Sequence, residues 1–212
     1  MIDDQGLVYA NPAKTELIGV VPNFAGNDFT GGFANIVIPA SVKAITGYVN
    51  VTKNGTSQTP NETNHGAFES MTSLTNMTFA SNNVTRIGSQ AFKGCSSLTE
   101  VKVPKSLTSF GTGVFGGMTT NGSTTTNTAT TSLMTIDLSS TQVTSLPNSL
   151  FQGCTSLSNV KLPSGLTQIG ETAFQGATSL TTIEIPSSVT TINGSAFAGS
   201  GITSLDLSQT AI

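Results

Sequence analysis

The residues that could do chemistry are few. The single histidine, His65, lies in the polar stretch NETNHG with Glu62 and Glu69 nearby, where a metal ligand or a general base can be imagined. One histidine without a second histidine or a cysteine is a poor ligand set, because zinc sites draw three or four side chains from these types. A polar loop residue is the favoured reading. Cys95 and Cys154 lie two repeats apart in the pattern described below. At about 4.8 Å per strand that is roughly 10 Å, beyond the ~7 Å that a disulfide spans, so both are expected as buried free thiols. Serine and threonine abound, but a hydrolytic triad needs a histidine beside a strained nucleophile turn. The glycines follow the repeat, with no GxxxxGK[ST] or GxGxxG phosphate loop after a strand. Several Asn-x-Ser/Thr triplets occur, for example at Asn50, Asn54, Asn61 and Asn121, but a chain this rich in Asn, Ser and Thr produces such triplets by composition alone, so no glycosylation is read from them. No catalytic residue, metal or cofactor is expected, and the chain is expected not to be an enzyme.

Composition narrows the partners. Of the 212 residues only 9% are charged and 6% aromatic, and there is no Trp, against about a quarter charged in ordinary domains. With a formal charge of −3 and eight scattered Lys and Arg, there is no basic stripe for nucleic acid or an anionic membrane. No apolar run approaches the ~20 residues of a membrane helix, and the start, Met1-Ile2-Asp3-Asp4, lacks the basic and apolar regions of a signal peptide. A cytosolic protein and an exported one whose signal has been removed both fit.

One phrase recurs along the chain, and it sets the architecture. It reads AFESMTSL at 67–74, AFKGCSSL at 91–98, LFQGCTSL at 150–157, AFQGATSL at 173–180 and AFAGSGI at 196–202, with VFGGM and TSL split by an insertion between 114 and 133. The phenylalanines fall at 68, 92, 115, 151, 174 and 197, giving spacings of 24, 23, 36, 23 and 23 residues. Each phrase leads into an apolar-x-apolar triplet: 36–38, 77–79, 101–103, 136–138, 160–162, 183–185 and 205–207. This alternation predicts seven short strands with one buried face. Pro39, Pro104, Pro163 and Pro186 close four of them, where a missing N–H costs least.

A second apolar pair follows, as in Val84/Ile87, Leu107/Phe110, Val143/Leu146, Leu166/Ile169 and Val189/Ile192, and then Gly88, Gly111, Pro147, Gly170 and Asn193. Gly and Asn suggest a left-handed turn residue, but Pro147 cannot take positive φ. Either that rung turns differently or the column needs no positive φ. The Ala-Phe segment, preceded by Ser89 or Ser195 and closed by Gly94, Gly153, Gly176 or Gly199, predicts a single helical turn with a glycine stop. Cys95 and Cys154 are placed in one column with Met71, Met118, Ala177 and Ser200, a small apolar niche. One repeat buries too little to stand alone, so the repeats must stack.

The unit Leu-x-x-Ile-x-Ile-Pro-x-Ser-Val-x-x-Ile-Gly-x-x-Ala-Phe-x-Gly-Cys resembles the BspA-type, or Treponema pallidum-type, leucine-rich repeat. Residues 180–197, 157–174 and 98–115 carry the match, which extends over about 34–212. The resemblance implies a β-rich (α/β) right-handed solenoid of ~23-residue repeats with short strands and single helical turns. It also implies a secreted or cell-surface setting and, in several relatives, adhesion to host proteins. Residues 6–23 are similar to the hairpin that often precedes such repeats, with strands Leu7–Tyr9 and Glu16–Ile18 across an Asn-Pro turn. The expected organisation is an N-terminal hairpin or cap at 1–33 and a repeat array at 34–212, with insertions at about 46–66 and 116–131. Two rungs, DLSSTQV and DLSQTAI, replace the Pro turn with an extra residue, and the second is the array's last. It ends before its own Phe, which suggests a fragment of a longer array.

The strand positions between the apolar residues are the candidate binding face: Asn76, Thr78, Glu100, Lys102, Thr135, Asp137, Asn159, Lys161, Thr182, Glu184, Ser204 and Asp206. Stacking aligns them in two columns, with charges of alternating sign that favour pairs between neighbouring rungs. The inserted loops are the other candidates. A protein partner on a host or neighbouring cell is the leading expectation. A structural spacer array in a larger surface protein is the alternative, and a glycan-binding surface is a third reading, resting on Tyr9, Tyr48, Phe24, Phe29 and Phe33 as the aromatics outside the core columns. Nucleic acid and membrane insertion are not expected.

Overall fold

The computed structural model describes residues 7–20, 34–47, 66–121 and 124–212. In chain order its strands are β1 (Leu7–Tyr9), β2 (Glu16–Val20), β3 (Asn35–Ile38), β4 (Ala44–Ile45), β5 (Asn76–Phe79), β6 (Arg86–Ile87), β7 (Glu100–Val101) and β8 (Ser109–Phe110). They continue with β9 (Met118–Asn121), β10 (Thr124–Asn127), β11 (Thr135–Asp137), β12 (Ser145–Leu146), β13 (Asn159–Lys161), β14 (Gln168–Ile169) and β15 (Thr191–Ile192). The described residues are strand-rich and contain no helix.

Five of the repeats contribute two short strands rather than one. The apolar-x-apolar triplets build one side, where β3 pairs with β5, and β11 pairs with β7 and with β13, all in parallel. The second apolar pairs build another side, ordered β1-β2-β4-β6-β8 and β12-β14-β15. A hydrogen bond from Gln142 N to Leu107 O (2.8 Å) joins its two halves. The β1–β2 hairpin is antiparallel, and β2 then pairs in parallel with β4, so it leads directly into the second side. Between the two sides lies one apolar core, with Leu, Ile and Val columns almost wholly excluded from water.

Five of the seven predicted strands form. The 183–185 and 205–207 triplets form no strand and are bonded to no neighbouring strand, and Ile183, Ile185 and Leu205 are only partly buried there. A strand is defined by its partner, so a correct apolar pattern is not sufficient where the rungs part.

The predicted helical turn does not become a helix: alternate amides form a third set of inter-rung bonds, while those between them, such as Gln152 N to Ser149 O and Cys154 N to Phe151 O (both 3.1 Å), close three-residue turns. Ser149, Phe151 and Gly153 N–H donate forward to the carbonyls of Glu171, Ala173 and Gln175 at 2.9, 2.8 and 2.7 Å, and Thr172, Phe174 and Gly176 repeat the pattern one rung on. Amides given to the next rung cannot also close a helix. Two columns take positive φ to make this possible. One follows Phe by two residues and includes Gly94, Gly153, Gly176 and Gly199, with Ser70 in the first rung. The other precedes Phe by two residues and consists of Gln90, Gly113, Ser149, Thr172 and Ser195. The Gly88, Gly111, Pro147, Gly170 and Asn193 column does not take positive φ, which accommodates Pro147 without a different turn.

Left-handed backbone costs an L-residue roughly 1–2 kcal/mol. Ser195 (φ 57) is exposed, so Ser195→Gly is expected to raise the urea midpoint, corresponding to a gain of about 0.5–1 kcal/mol in unfolding free energy after glycine's own entropy cost. Ser195→Val is expected to lower it, and the opposite order would show that this residue is not strained.

The phenylalanines stack face to face through the molecule. Centroids are 5.4, 5.3, 5.5, 5.3 and 5.2 Å apart from Phe68 to Phe197, with interplanar angles of 7, 10, 7, 21 and 1°. The first five rings are buried and Phe197 is half-buried.

Beside this column sits the niche predicted for the cysteines, with one correction. Cys95 Sγ donates to Phe68 O (3.0 Å), Cys154 Sγ to Phe115 O (3.5 Å), and between them Thr130 Oγ1 donates to Phe92 O. Met118, expected in this column, is instead half out in solvent as the first residue of β9, because the insertion leaves the rung there as the β9–β10 hairpin and returns at Thr130. The niche therefore suits a small donor to the preceding rung's carbonyl.

Both cysteines are buried and free. Burial pushes the Cys95 thiol up to about 12 from 9.0 and raises Cys154 as well. Neither is expected to react with a thiol reagent at pH 8 until the chain unfolds; rapid labelling of the native protein would contradict this packing. Because the folded thiol pKa lies above the unfolded one, the stability it contributes is complete below pH ~9 and is lost as the pH rises toward about 12.

Candidate functional site

The exposed side of the β3–β5 and β7–β11–β13 ladders carries the candidate residues. Register aligns Glu100, Thr135 and Asn159 in one column and Asp137 with Lys161 in the other. Asn76 and Thr78 lie beside Asn35 and Val37 on the first rungs. Eleven of the twelve are exposed and Thr78 is half-buried. Lys102 follows β7, while Thr182, Glu184, Ser204 and Asp206 lie on the two unpaired triplets, so no strand register joins them to the columns. Inward neighbours explain the orientation: Val101 and Ile136 are 2% exposed and Leu138 0%, and alternate residues must point the other way.

The face is polar and hollowed, and its charged side chains are the acidic Glu100, Asp137, Glu184 and Asp206 against the basic Lys102 and Lys161. One hollow of about 430 Å³ lies over Glu100, Lys102, Thr135, Asp137 and Lys161. A larger one of about 780 Å³ lies between Asn159–Leu162 and Thr182–Pro186. Lys161 Nζ sits 3.3 Å from Asp137 Oδ2, an inter-rung pair of the kind the alternating charges predict. Both side chains are more than half exposed, so the pair is a weak, salt-screened contact. Hydrogen bonds from the Ser139 hydroxyl (2.6 Å) and amide (2.9 Å) hold the Asp137 carboxyl below its ordinary range, with Lys161 assisting.

Those Ser139 contacts also show how the extra-residue rung turns. Leu138 O accepts from both Thr141 N (3.0 Å) and Thr141 Oγ1 (2.7 Å), in place of the Pro104 O to Leu107 N turn of its neighbour. Asp206, Ser208, Leu207 and Thr210 repeat the arrangement. Sequence reading missed two exposed apolar side chains here, Val37 (52%) and Met134 (51%). Met134 stands just before β11, in the column held from the second rung on by Thr75, Thr99, Ser158, Thr181 and Thr203, and its break from that pattern was the available signal.

The other candidates separate. Glu69 is committed to a 3.3 Å ion pair with Lys93 and to Gly66 N (3.2 Å), while Glu62 and His65 lie outside the described residues. Among the described residues no three His, Cys, Asp or Glu gather as a metal site. Tyr9 is 1% exposed with Lys14 Nζ 5.4 Å from its ring centre, so it offers no sugar platform; Phe24, Phe29, Phe33 and Tyr48 lie outside the described residues. Most of the 46–66 insertion does too. No helix among the described residues is long and apolar enough to cross a membrane.

Short parallel strands in register every 23 or so residues, with a phenylalanine column inside and a polar face outside, define a leucine-rich-repeat protein. Six copies of the BspA type leucine rich repeat region match residues 27–132 and 125–212, and the chain belongs to this family. Its repeats form a protein-interaction type of module. A leucine-rich repeat protein from Eubacterium ventriosum is 25% identical, with a TM-score of 0.62 over 94% of this chain and 50% of that one. A leucine rich cell surface protein from Faecalibacterium prausnitzii is also 25% identical, with a TM-score of 0.52 over 96% of this chain and 55% of that one. The chain thus spans about half the length of each of these two solved structures. No curated protein matches it significantly.

Proposed function

We propose that this chain is a non-catalytic, extracellular or cell-surface interaction module that binds a protein through the exposed face of the β7–β11–β13 ladder. The observation that carries this reading is the alignment of exposed Glu100, Thr135, Asn159, Asp137 and Lys161 over a hollowed sheet. A rigid row of mixed polar groups suits a protein surface, with Val37 and Met134 as apolar contacts at its edges. The surface setting is supported by family membership and by the similar Faecalibacterium protein described as a cell surface protein. An adhesin-like role follows from that setting, with the 34–212 array as a right-handed solenoid behind a 1–33 cap. The sheet's large polar outer face favours binding over a spacer role, and the burial of Tyr9 removes one of the few aromatics for glycan stacking.

The test is capture of surface proteins from host or neighbouring cells by the immobilised chain. Replacing Lys102, Lys161 and Glu184 together with serine is expected to lower retention of a specific partner at least tenfold. Equal retention would move the site off this face.

A further inference from the structure

The rungs that carry Phe174 and Phe197 are joined on every side but one. Phe174 and Phe197 stack at 5.2 Å, β14 pairs with β15, and Phe174 N donates to Ala196 O (2.7 Å). On the candidate face, no backbone hydrogen bond joins β13 to 181–186. The larger hollow, about 780 Å³, lies in this parting. Asn159 N donates to Met134 O (3.2 Å) and Lys161 O accepts from Leu138 N (2.8 Å), so both residues turn their peptide groups to β11. Val160, between them, must turn its N–H and C=O the other way, into the parting. Neither group has a partner among the described residues, and 182–185 faces it equally unbonded.

We propose that this parting is a strand-insertion site. It takes one extended segment of a partner protein, apolar at alternate positions and basic at the outward position beside Glu184. The inference rests on the protein-binding reading of the same face and names its ligand. Two facing rows of unpaired peptide groups are complemented by an extended backbone, which offers donors and acceptors on both edges. Inward side chains of the segment would continue the apolar columns between Val160 and Leu162 on one side and Ile183 and Ile185 on the other, all of which line the cleft. Outward, Lys161 already pairs with Asp137, whereas exposed Glu184 has no ion pair among the described residues. The unmet charge is negative, and it selects a basic residue.

The experiment is amide hydrogen exchange on the full chain, with acetyl-Thr-Val-Lys-Val-Thr-amide at millimolar concentration as the probe. In the free protein the Val160 amide should exchange at least tenfold faster than that of Lys161. The peptide should slow Val160 at least tenfold, a Glu-for-Lys version should do so less, and E184K should reverse that preference. A Val160 amide as protected as Lys161 in the free chain, or unmoved by the peptide, overturns the proposal. Protection that rises with protein concentration alone also overturns it, since the occupant would then be a second copy. A partner that footprints Thr135 and Asp137 but leaves Val160 unchanged removes the insertion site while retaining the binding face; failure to capture any partner on that face removes the broader reading.

Discussion

Replacing Phe151 by alanine is expected to lower the unfolding free energy by about 3–5 kcal/mol, the range for emptying a large buried aromatic site. The ring is 0% exposed and stacks on Phe115 at 5.5 Å and on Phe174 at 5.3 Å, so its loss removes two ring contacts as well as its own buried surface. Rigid rungs on both sides limit collapse into the cavity. Because each repeat touches only its neighbours, the damage should also be directional: the urea transition is expected to divide into two steps as the halves on either side of residue 151 lose their coupling. Phe197→Ala is the comparison. That ring is half-buried and stacks on Phe174 alone, so it should cost about half as much and leave one transition. A loss of less than about 1 kcal/mol at Phe151 would mean that the column is not the axis of the core.

The second large effect is expected from a single added methyl group. Gly170 does not take positive φ, so its backbone would accept alanine, yet a Cβ there would lie 2.5 Å from Pro147 C, 2.6 Å from Asn148 N and 2.7 Å from Leu146 O. All three are backbone atoms of the preceding rung and cannot rotate away. Gly170 N also donates to Leu146 O at 2.9 Å, so relief requires the rungs to part at a hydrogen bond. Gly170→Ala is expected to cost about 3 kcal/mol, at the upper end of overpacking penalties. Gly165→Ala, where no atom lies within 4 Å of the added carbon, should be within about 0.5 kcal/mol of the parent. Equal midpoints for the two variants in urea would refute the close approach.

These glycines show where the sequence was legible. The strand triplets and the phenylalanine column could be read because burial repeats the same residue types at one spacing, and the outward face followed from alternation. The Gly88, Gly111, Gly170 column was visible as a pattern, but glycine serves both a left-handed turn and a close backbone approach, and only the neighbouring rung distinguishes them. The left-handed column at Gln90, Ser149, Thr172 and Ser195 was illegible: only Gly113 among its members is a glycine, and the constraint comes from amides donated to the next rung. Thr130 took the place expected for Met118 because a hydroxyl and a thiol meet the same carbonyl, an equivalence that lies outside hydrophobic patterning. The parting after β13 left no mark, since IEIP and VKLP fit one template while their separation is a property of two rungs together.

Photo-crosslinking from defined positions tests the central claim most directly, that the outer face of the triplet strands is where a protein partner sits. A benzophenone side chain is placed at Thr135 or Asn159 on that face, and at Ser145 or Gln168 on the second side, all four positions being exposed. The chain is then irradiated on host or neighbouring cells. Protein adducts from 135 and 159, with none from 145 and 168, are the predicted result. Adducts from 145 or 168 alone would contradict it and place the partner on the opposite ladder.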